Sequence, residues 1–249
     1  TSNDTPKNDT VIVDPVIGVV REGVRVLVDL HLARLKQIKR SPYDRSDKHA
    51  VSDRITELIT TSLTLCSTLF NISCSTKGRV MLITKEKHGN NSSKYRVLDL
   101  LLLFAKGKNE TGGRSSTIGG VPLNHPGLLM LSRCAINTIY QLTCCDKGVE
   151  LIINSSKSLR AIMAILKDDD TSDDDDDPHM EHMCLAVLYN LIDSNTNCRR
   201  LAQIENTIEV LISCASSAAD QTVEINSLCS ALLCRLSGDK SIVERLVNA

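Results

Sequence analysis

The sequence predicts an all-α protein made of short helices that repeat and stack, and three observations support this prediction. Its hydrophobic residues, 42% of the chain, are mainly Leu, Ile, Val, Ala and Cys, with no Trp, two Phe and four Tyr. Such side chains suit closely packed helices better than a barrel or sandwich. Apolar residues recur at intervals of three and four, which is the spacing of one helical face. One pattern also occurs four times along the chain, which indicates a repeat array.

The N-terminal region is predicted to hold a disordered tail over residues 1–13 and an N-terminal helix or capping helices over residues 14–49. The first ten residues are polar. Pro15 is a typical helix start because its missing N–H costs nothing in the first turn. The apolar spacing continues to Arg40, and Pro42 disfavours helix in the residue before it. The sequence leaves open whether this region is a degenerate repeat or a cap.

Residues 50–249 contain the repeated pattern: an apolar helix ends in a polar residue followed by Leu or Ile, and a short polar break leads to a second helix. The Leu or Ile of the four copies is Ile72, Leu142, Leu191 or Leu236. Successive copies are therefore 70, 49 and 45 residues apart. The last two intervals are close to the roughly 40 to 47 residues of known helical repeats. In the third unit one apolar stripe is formed by Leu201, Ile204, Ile208, Leu211 and Ile212. A helix pair cannot cover its own apolar face, so the units are expected to stack.

Three segments have loop composition: residues 85–94, 106–127 and 168–177. The first two are rich in Gly, Asn and Ser and explain the long first interval. The third holds eight Asp in ten residues, and like charges keep such a segment extended and solvated. It lacks the mid-loop Gly and terminal Glu of a calcium-binding loop. One hypothesis is that it attracts a basic partner or occupies a groove of the protein itself.

This pattern resembles the armadillo repeat family, whose units have the motif apolar-x-Asn-Leu, a short polar turn ending in Asn, and a helix leading to Gly-x-Ile and Leu-Val-x-Leu-Leu. The third unit is the closest match, with Asn190-Leu191, Asn197, Ile208 and Leu211-Ile212. The resemblance extends over residues 50–249 in about four units. It implies a right-handed α-solenoid of armadillo/HEAT-like helical repeats.

The resemblance also implies a partner-binding groove. In the armadillo family the Asn before the Leu points into a concave groove and hydrogen-bonds the backbone of an extended peptide. Asn71 and Asn190 match that Asn. Gln141 can substitute for it, whereas Arg235 can pair with an acidic group of a partner. The alternative is that an Asn near a helix C-terminus merely satisfies local carbonyl groups.

Four residues before this position, importin-type members of the family carry a Trp whose ring holds a Lys side chain of a nuclear localisation peptide. The corresponding residues here are Ser67, Asn137, Ala186 and Ala231. Without aromatic rings no cation–π slot forms at these positions. The sequence therefore argues against an importin-like nuclear carrier, and Ser67, Asn137 and Ala186 stay candidates for lining a groove.

One cluster could bind a metal ion, and we interpret it as structural. His179 and His182 are three residues apart, and Asp177 could add an oxygen ligand. However, Pro178 is a natural helix start, and Cys184 occupies an apolar position of the repeat. The sequence therefore predicts no metal site.

No residues predict catalysis. Cys144 and Cys145 follow a helix and have no nearby His to act as a base. The Gly pairs of the loop 106–127 are predicted to follow no strand, so they do not form a phosphate-binding motif. We therefore expect no enzyme activity, no cofactor and no small-molecule substrate.

Composition also limits the partners. The net charge of −1 offers no long-range attraction to nucleic acid or anionic lipid. The longest apolar run, residues 98–105 interrupted by Asp99, is too short to cross a bilayer. The ten Cys residues form no CxxC pair and lie in apolar helical patterns, which is typical of core residues in a reducing compartment. We expect a cytoplasmic protein with a protein or peptide partner and no nucleic-acid or membrane partner.

The predicted function is that of a protein–protein interaction scaffold or adaptor that binds a partner segment along the groove. Such proteins include the client-binding parts of co-chaperones and assembly factors for cytoskeletal or motor proteins. The alternative is a structural subunit of a larger cytoskeletal or ciliary complex. An adaptor would bind a soluble peptide, whereas a structural subunit would need its neighbours to be soluble.

Overall fold

A computed structural model describes residues 15–40, 48–83, 96–106, 117–118, 121–122, 126–166, 178–217, 223–238 and 242–243. Helices dominate these residues, which confirms the predicted all-α class. The predicted tail 1–13 and the predicted loops 85–94 and 168–177 lie outside the described residues.

The helices, numbered in chain order, are α1 (Pro15–Arg40), α2 (Lys48–Ser73), α3 (Thr76–Ile83), α4 (Arg96–Lys106), α5 (Pro126–Thr143), α6 (Asp146–Ile153), α7 (Ser156–Leu166), α8 (Pro178–Leu191), α9 (Asn195–Ala202), α10 (Thr207–Ser217) and α11 (Val223–Ser237). Each of the long helices α2, α5 and α8 is followed by a short helix and then by a third helix. We call each such group a triplet, and α11 occupies the place of a fourth long helix.

Two short paired strands are the exception to helical structure among the described residues, and they correct the prediction for the loop 106–127. The strands β1 (Thr117–Ile118) and β2 (Val121–Pro122) are antiparallel, with Ile118 opposite Val121. A strand therefore does precede the second Gly pair of this loop. It holds only two residues, and the next described helix, α5, begins at Pro126.

The helices pack in three rows. The long-helix row consists of α2, α5, α8 and α11, the short-helix row of α3, α6 and α9, and the third-helix row of α1, α4, α7 and α10. Each helix contacts the next helix of its own row. Each of α4, α7 and α10 also contacts the long helix that follows it in the chain. The triplets therefore stack, and α1 occupies the first place of the third-helix row.

The interior lies between these rows and is aliphatic, as the composition indicates. The residue six positions before the polar residue of the repeated pattern is buried in all four long helices. These four residues are Leu65, Ala135, Cys184 and Cys229. Cys184 is therefore a core residue, as predicted. Burial raises the pKa of its thiol, and the nearby Glu181 adds to this effect.

Two glycines allow a long helix and the following short helix to approach closely. Gly78 and Gly148 lie six residues after Ile72 and Leu142, respectively. A Cβ atom at Gly78 would lie 1.8 Å from the carbonyl oxygen of Ile72, and one at Gly148 would lie 1.9 Å from that of Leu142. No side chain fits at such distances, so these two junctions require glycine.

The third junction is built differently, because Asn197 stands where the other two have Gly. α8 ends at Leu191, whereas α2 and α5 each extend one residue beyond the equivalent Ile72 and Leu142. The hydroxyl of Ser194 caps α9 by accepting a hydrogen bond from the backbone N–H of Asn197 at 3.3 Å. The long helix α8 therefore ends one residue earlier at the junction where Asn197, which has a side chain, replaces glycine.

The apolar stripe predicted for the third unit lies on two helices rather than one. α9 ends at Ala202 and α10 begins at Thr207, and between them Asn206 adopts a φ of 60°. The hydroxyl of Thr207 donates to the carbonyl oxygens of Leu201 and Ile204, at 3.2 and 2.9 Å. These bonds satisfy carbonyl groups that a continuous helix would have paired. The stripe residues are still buried, apart from the partly buried Ile212.

α1 is one continuous helix from Pro15 to Arg40. One of its faces is buried against the fold. A second face carries exposed apolar side chains, with Val19 exposed by 75%, Val26 by 42% and Leu30 by 63%. Within the described residues, no helix covers this face.

A buried histidine holds α1 against α2 and α4. The Nε2 atom of His31 lies 2.9 Å from the hydroxyl oxygen of Ser62, and the ring packs edge-on against Phe104 at 5.7 Å between centroids. Since Ser62 donates its own proton to the carbonyl oxygen of Leu58 at 2.8 Å, the His31 ring must donate from Nε2. Burial, and to a lesser extent the charge of Arg34, lowers the pKa of His31 below its ordinary value of 6.5.

Candidate protein-binding face

The four long helices carry the predicted partner-binding residues at equivalent positions. The residue directly before the repeated Ile or Leu, which we call the ladder position, is Asn71, Gln141, Asn190 or Arg235. Asn71 and Arg235 are exposed, and Gln141 and Asn190 are partly buried. Because α2, α5, α8 and α11 contact one another in sequence, the structure brings these residues into one row.

Two ladder residues form hydrogen bonds at the C-terminal end of the preceding long helix. The Nδ2 atom of Asn190 donates to the hydroxyl of Thr143 at 3.0 Å, and Nη1 of Arg235 donates to the carbonyl oxygen of Ile192 at 3.1 Å. Thr143 and Ile192 are themselves equivalent, since each lies two residues after its own ladder position. The side chains therefore join neighbouring triplets. These two bonds differ from the alternative reading, in which such a residue satisfies a carbonyl group of its own helix end.

An aromatic residue precedes the ladder position in three of the four helices, a feature that the sequence analysis missed. Phe70, Tyr140 and Tyr189 occupy this position, and all three are partly buried. The guanidinium carbon of Arg235 lies 4.4 Å from the centre of the Tyr189 ring, which is a cation–π distance. The signal was visible in the sequence as Phe-Asn, Tyr-Gln and Tyr-Asn pairs.

The residues four positions before the ladder are small or uncharged. Ser67 is exposed, and Asn137, Ala186 and Ala231 are partly buried. Among the eight residues at the ladder position and four residues before it, Arg235 is the only charged one. The face therefore offers amide and hydroxyl groups beside aromatic rings, and it offers no carboxylate at these positions to a basic peptide.

A pair of thiols, Cys66 and Cys134, lies on the helices α2 and α5, which contact each other. The Ser67 hydroxyl oxygen lies 4.0 Å from the sulfur of Cys134. A hydrogen bond from Cys66, supported by the one from Ser67, lowers the pKa of Cys134 to about 7, although partial burial acts in the opposite direction. The pKa of Cys66, which is fully buried, is raised.

A second thiol pair, Cys214 and Cys229, joins α10 to α11. Both residues are buried, and the hydrogen bond between them raises the pKa of Cys214 and lowers that of Cys229. The carboxylate of Glu181 raises the pKa of both thiols. This pair is chemically similar to Cys66 and Cys134 but is closed to solvent.

The other candidate groups do not come together as a site. His179 is exposed and His182 is partly buried at the start of α8, and Asp177 lies outside the described residues. Within the described ranges no group of three or more His, Cys, Asp and Glu is arranged to hold a metal ion. The thiols of Cys144 and Cys145 donate to the carbonyl oxygens of Tyr140 and Leu142, both at 3.4 Å.

One described helical segment, Ile55–Ser73 of α2, is long and apolar enough to cross a membrane by length and composition alone, with a mean hydropathy of 1.2. This segment is longer than residues 98–105, which the sequence indicated as the longest apolar run. Its buried side chains include Leu58, Leu65 and Leu69, which pack in the core. Core helices have the same composition, so the segment is weak evidence for a membrane span.

No protein-family model matches the chain, and no curated protein sequence matches it.

Proposed function

We propose that this protein is an adaptor or scaffold that holds a segment of a partner protein along the face of its long-helix row. The observation that carries the proposal is the row itself: four long helices in sequence present polar side chains at the ladder position, three of them uncharged and the fourth Arg235, beside three aromatic rings. We further propose that the stacked triplets form a right-handed armadillo-type solenoid, with this face on its concave side.

The chemistry of the face suits an extended peptide. A peptide backbone presents an N–H and a C=O at each residue, and an amide side chain can pair with both. The Asn190 amide uses one N–H in its bond to Thr143 and keeps its second N–H and its oxygen. Phe70, Tyr140 and Tyr189 add apolar area for the partner's side chains. A protein or peptide partner in the cytoplasm fits this face, and client binding in a co-chaperone or motor-assembly factor is one use of it.

Site-specific photo-crosslinking in cells tests the proposal on the full chain. A benzophenone amino acid is placed at Ser67 or Ala186 on the long-helix row, and the matched controls carry it at Arg160 on α7 or Glu209 on α10. Arg160 and Glu209 are exposed positions of the third-helix row. We expect one partner to crosslink from Ser67 and Ala186 and not from the controls. A partner captured equally from all four positions, or only from the controls, would contradict the proposal.

The exposed apolar face of α1 favours a second candidate, a structural subunit of a larger cytoskeletal or ciliary assembly. Val19, Val26 and Leu30 lie at the first place of the third-helix row, where a further helix would pack. In that case a crosslinker at Leu30 captures a neighbour as strongly as one at Ser67. The adaptor proposal expects capture of the partner from Ser67 and not from Leu30.

A further inference from the structure

The helix α1 carries an apolar face that points away from the core. Of the large hydrophobic side chains that are exposed among the described residues, more than half lie on this helix: Val19, Val20, Val26, Leu27 and Leu30. Their exposed fractions correspond to about 500 Å² of apolar surface, and a contiguous patch of this size often marks an interaction site.

The spacing of residues along this face fits another helix. Val19, Gly23, Val26, Leu30 and Ala33 follow one another at alternating steps of four and three residues, and all five are exposed. Such steps average about 3.5 residues, which is the spacing at which one helix packs along another over several turns. An extended peptide repeats every second residue and does not match this spacing. The face is therefore suited to a helix as its occupant.

The sizes of these five residues match a second copy of the same helix that runs antiparallel. Around a two-fold axis at Val26, Gly23 of one copy faces Leu30 of the other, and Val19 faces Ala33. Each of these levels pairs a smaller residue with a larger one, and both copies make the same contacts, as a two-fold interface requires. A parallel arrangement would place glycine against glycine and leucine against leucine, which leaves a gap at one level and crowds the other.

The edges of this face carry charges that are already paired. Arg25 forms ion pairs with Glu22 and Asp29 along one edge, and Arg34 pairs with Glu57 of α2 at 2.7 Å along the other. Helices that lie on anionic membranes instead carry an excess of Lys and Arg beside their apolar face. An apolar strip between polar edges is the usual composition of a protein interface.

We propose that two copies of this protein associate through α1, antiparallel and around a two-fold axis at Val26. Such a dimer would bury about 1,000 Å² of apolar surface from the two copies together, which reaches the size that a specific interface needs. Since α1 occupies the first place of the third-helix row, the dimer joins two stacks of triplets at their first members. This interface goes beyond the adaptor role and does not depend on it.

Sedimentation velocity of the full chain over a wide range of concentrations is the first test. We expect a reversible monomer–dimer equilibrium. Leu30→Asp should raise its dissociation constant at least about 30-fold, because each dimer would bury two unpaired carboxylates. The matched control is Leu129→Asp at an exposed leucine of α5, which should leave the dissociation constant unchanged. A wild-type protein that stays monomeric at every concentration, or equal effects of the two substitutions, would overturn the proposal.

The second test concerns the direction of the two helices. Val19→Cys and Ala33→Cys place one new thiol at each end of the face, and both positions are exposed in the single chain. After mild oxidation of a mixture of the two variants, mass spectrometry should find a disulfide between residue 19 of one chain and residue 33 of the other. Neither variant alone should form a disulfide through its new cysteine. Links within each variant alone, and none in the mixture, would contradict the antiparallel arrangement.

Other occupants of the face give different results in a third test. A benzophenone amino acid at Leu30 in cells should capture a second copy of this chain, which mass spectrometry identifies by its peptides. Capture of a different protein by a chain that is monomeric in solution would contradict the dimer and favour the structural subunit. Binding of that monomer to vesicles of phosphatidylcholine and phosphatidylserine would contradict it as well. The adaptor proposal is unaffected by these outcomes, because its own test is capture from Ser67 and Ala186.

Discussion

The second and third junctions, where a long helix leads into a short helix, differ in how the long helix ends and in how the short helix begins. At the second junction α5 continues through Thr143, and Gly148 leaves room for the carbonyl oxygen of Leu142. α6 then begins after Cys145, whose side chain makes no cap hydrogen bond. At the third junction α8 ends at Leu191, Asn197 replaces the glycine and Ser194 caps α9. The first junction has both devices, since Ser75 caps the N–H of Gly78 at 3.0 Å.

This difference shows that the glycine and the cap have separate purposes. The glycine is needed where the long helix extends one residue further and its carbonyl oxygen meets the next helix. The cap satisfies an N–H at the start of the short helix and is independent of that approach. Where α8 stops early, the carbonyl group of Ile192 is free to accept from Arg235, and it does so. The third junction therefore lacks the close backbone contact and has instead a hydrogen bond from the Arg235 side chain of the next long helix.

The largest expected effect is that of Gly148→Ala. The new Cβ would lie 1.9 Å from the Leu142 carbonyl oxygen, so α5 and α6 must move apart. We expect a loss of roughly 3 kcal/mol in the free energy of unfolding, measured by urea denaturation followed by circular dichroism.

The control for this variant is Gly23→Ala on α1, where an added Cβ meets nothing within 4 Å. Here the same substitution should raise the free energy of unfolding by about 0.5 to 1 kcal/mol, because alanine favours the helix. If Gly148→Ala unfolded at the wild-type urea concentration, the close-approach explanation of the junctions would be wrong.

An intermediate effect is expected for Arg235→Ala. The substitution removes the bond to the Ile192 carbonyl oxygen and the contact with the Tyr189 ring, which together should contribute about 1 to 2 kcal/mol. Thermal unfolding monitored by calorimetry measures it. Arg160→Ala, at an exposed arginine of α7, should change stability by less than about 0.5 kcal/mol. Equal effects of the two substitutions would show that the third junction does not use Arg235.

A smaller effect separates the cap from the glycine. Ser194→Ala should cost about 1 kcal/mol, because the N–H of Asn197 loses its acceptor. Cys145→Ser should instead add about 0.5 kcal/mol, since Ser75 at the equivalent position both caps Gly78 and donates to the Ile72 carbonyl oxygen. Urea denaturation of both variants checks the signs. A destabilised Cys145→Ser would mean that the second junction cannot accept a cap.

The smallest change is expected from pH, and it concerns α1 rather than the junctions. The fold lowers the pKa of His31, so the unfolded chain takes up this proton at a higher pH than the folded chain. Stability from His31 is therefore complete above about 6.5 and is lost as the pH falls below it. Urea denaturation at pH 7.5 and pH 5.5 should show this loss, and His31→Gln should reduce it. The difference between Gly148→Ala and the wild type should stay the same at both pH values, because the sites are separate.

The sequence predicted the elements whose signal is local. Pro15 marks the start of α1, Pro178 marks the start of α8, and the spacing around Leu142 and Leu191 marks the ends of α5 and α8. It could not predict that the stripe from Leu201 to Ile212 breaks at Asn206, because the apolar spacing continues through the turn. Periodicity records which residues are buried, and it does not record whether the backbone between them is helical.

The candidate face was predicted in part. The ladder residues were identified from their place before Ile or Leu, and the structure arranges them in a row. That Asn190 bonds Thr143 was beyond the sequence, because the two residues lie in different triplets. The Cys66–Cys134 pair was missed for the same reason: 68 residues separate the two thiols, and only the contact of α2 with α5 brings them together.

The contacts within the three rows join mainly helices that are neighbours in the stack. Stability in such an architecture is approximately a sum over adjacent groups, so its two ends can open while the middle persists. Fraying should therefore begin at α1 or α11, and a protease would trim the protein inward one triplet at a time. α5, which lies in the middle triplet and carries Gln141, would be the last long helix that degradation reaches.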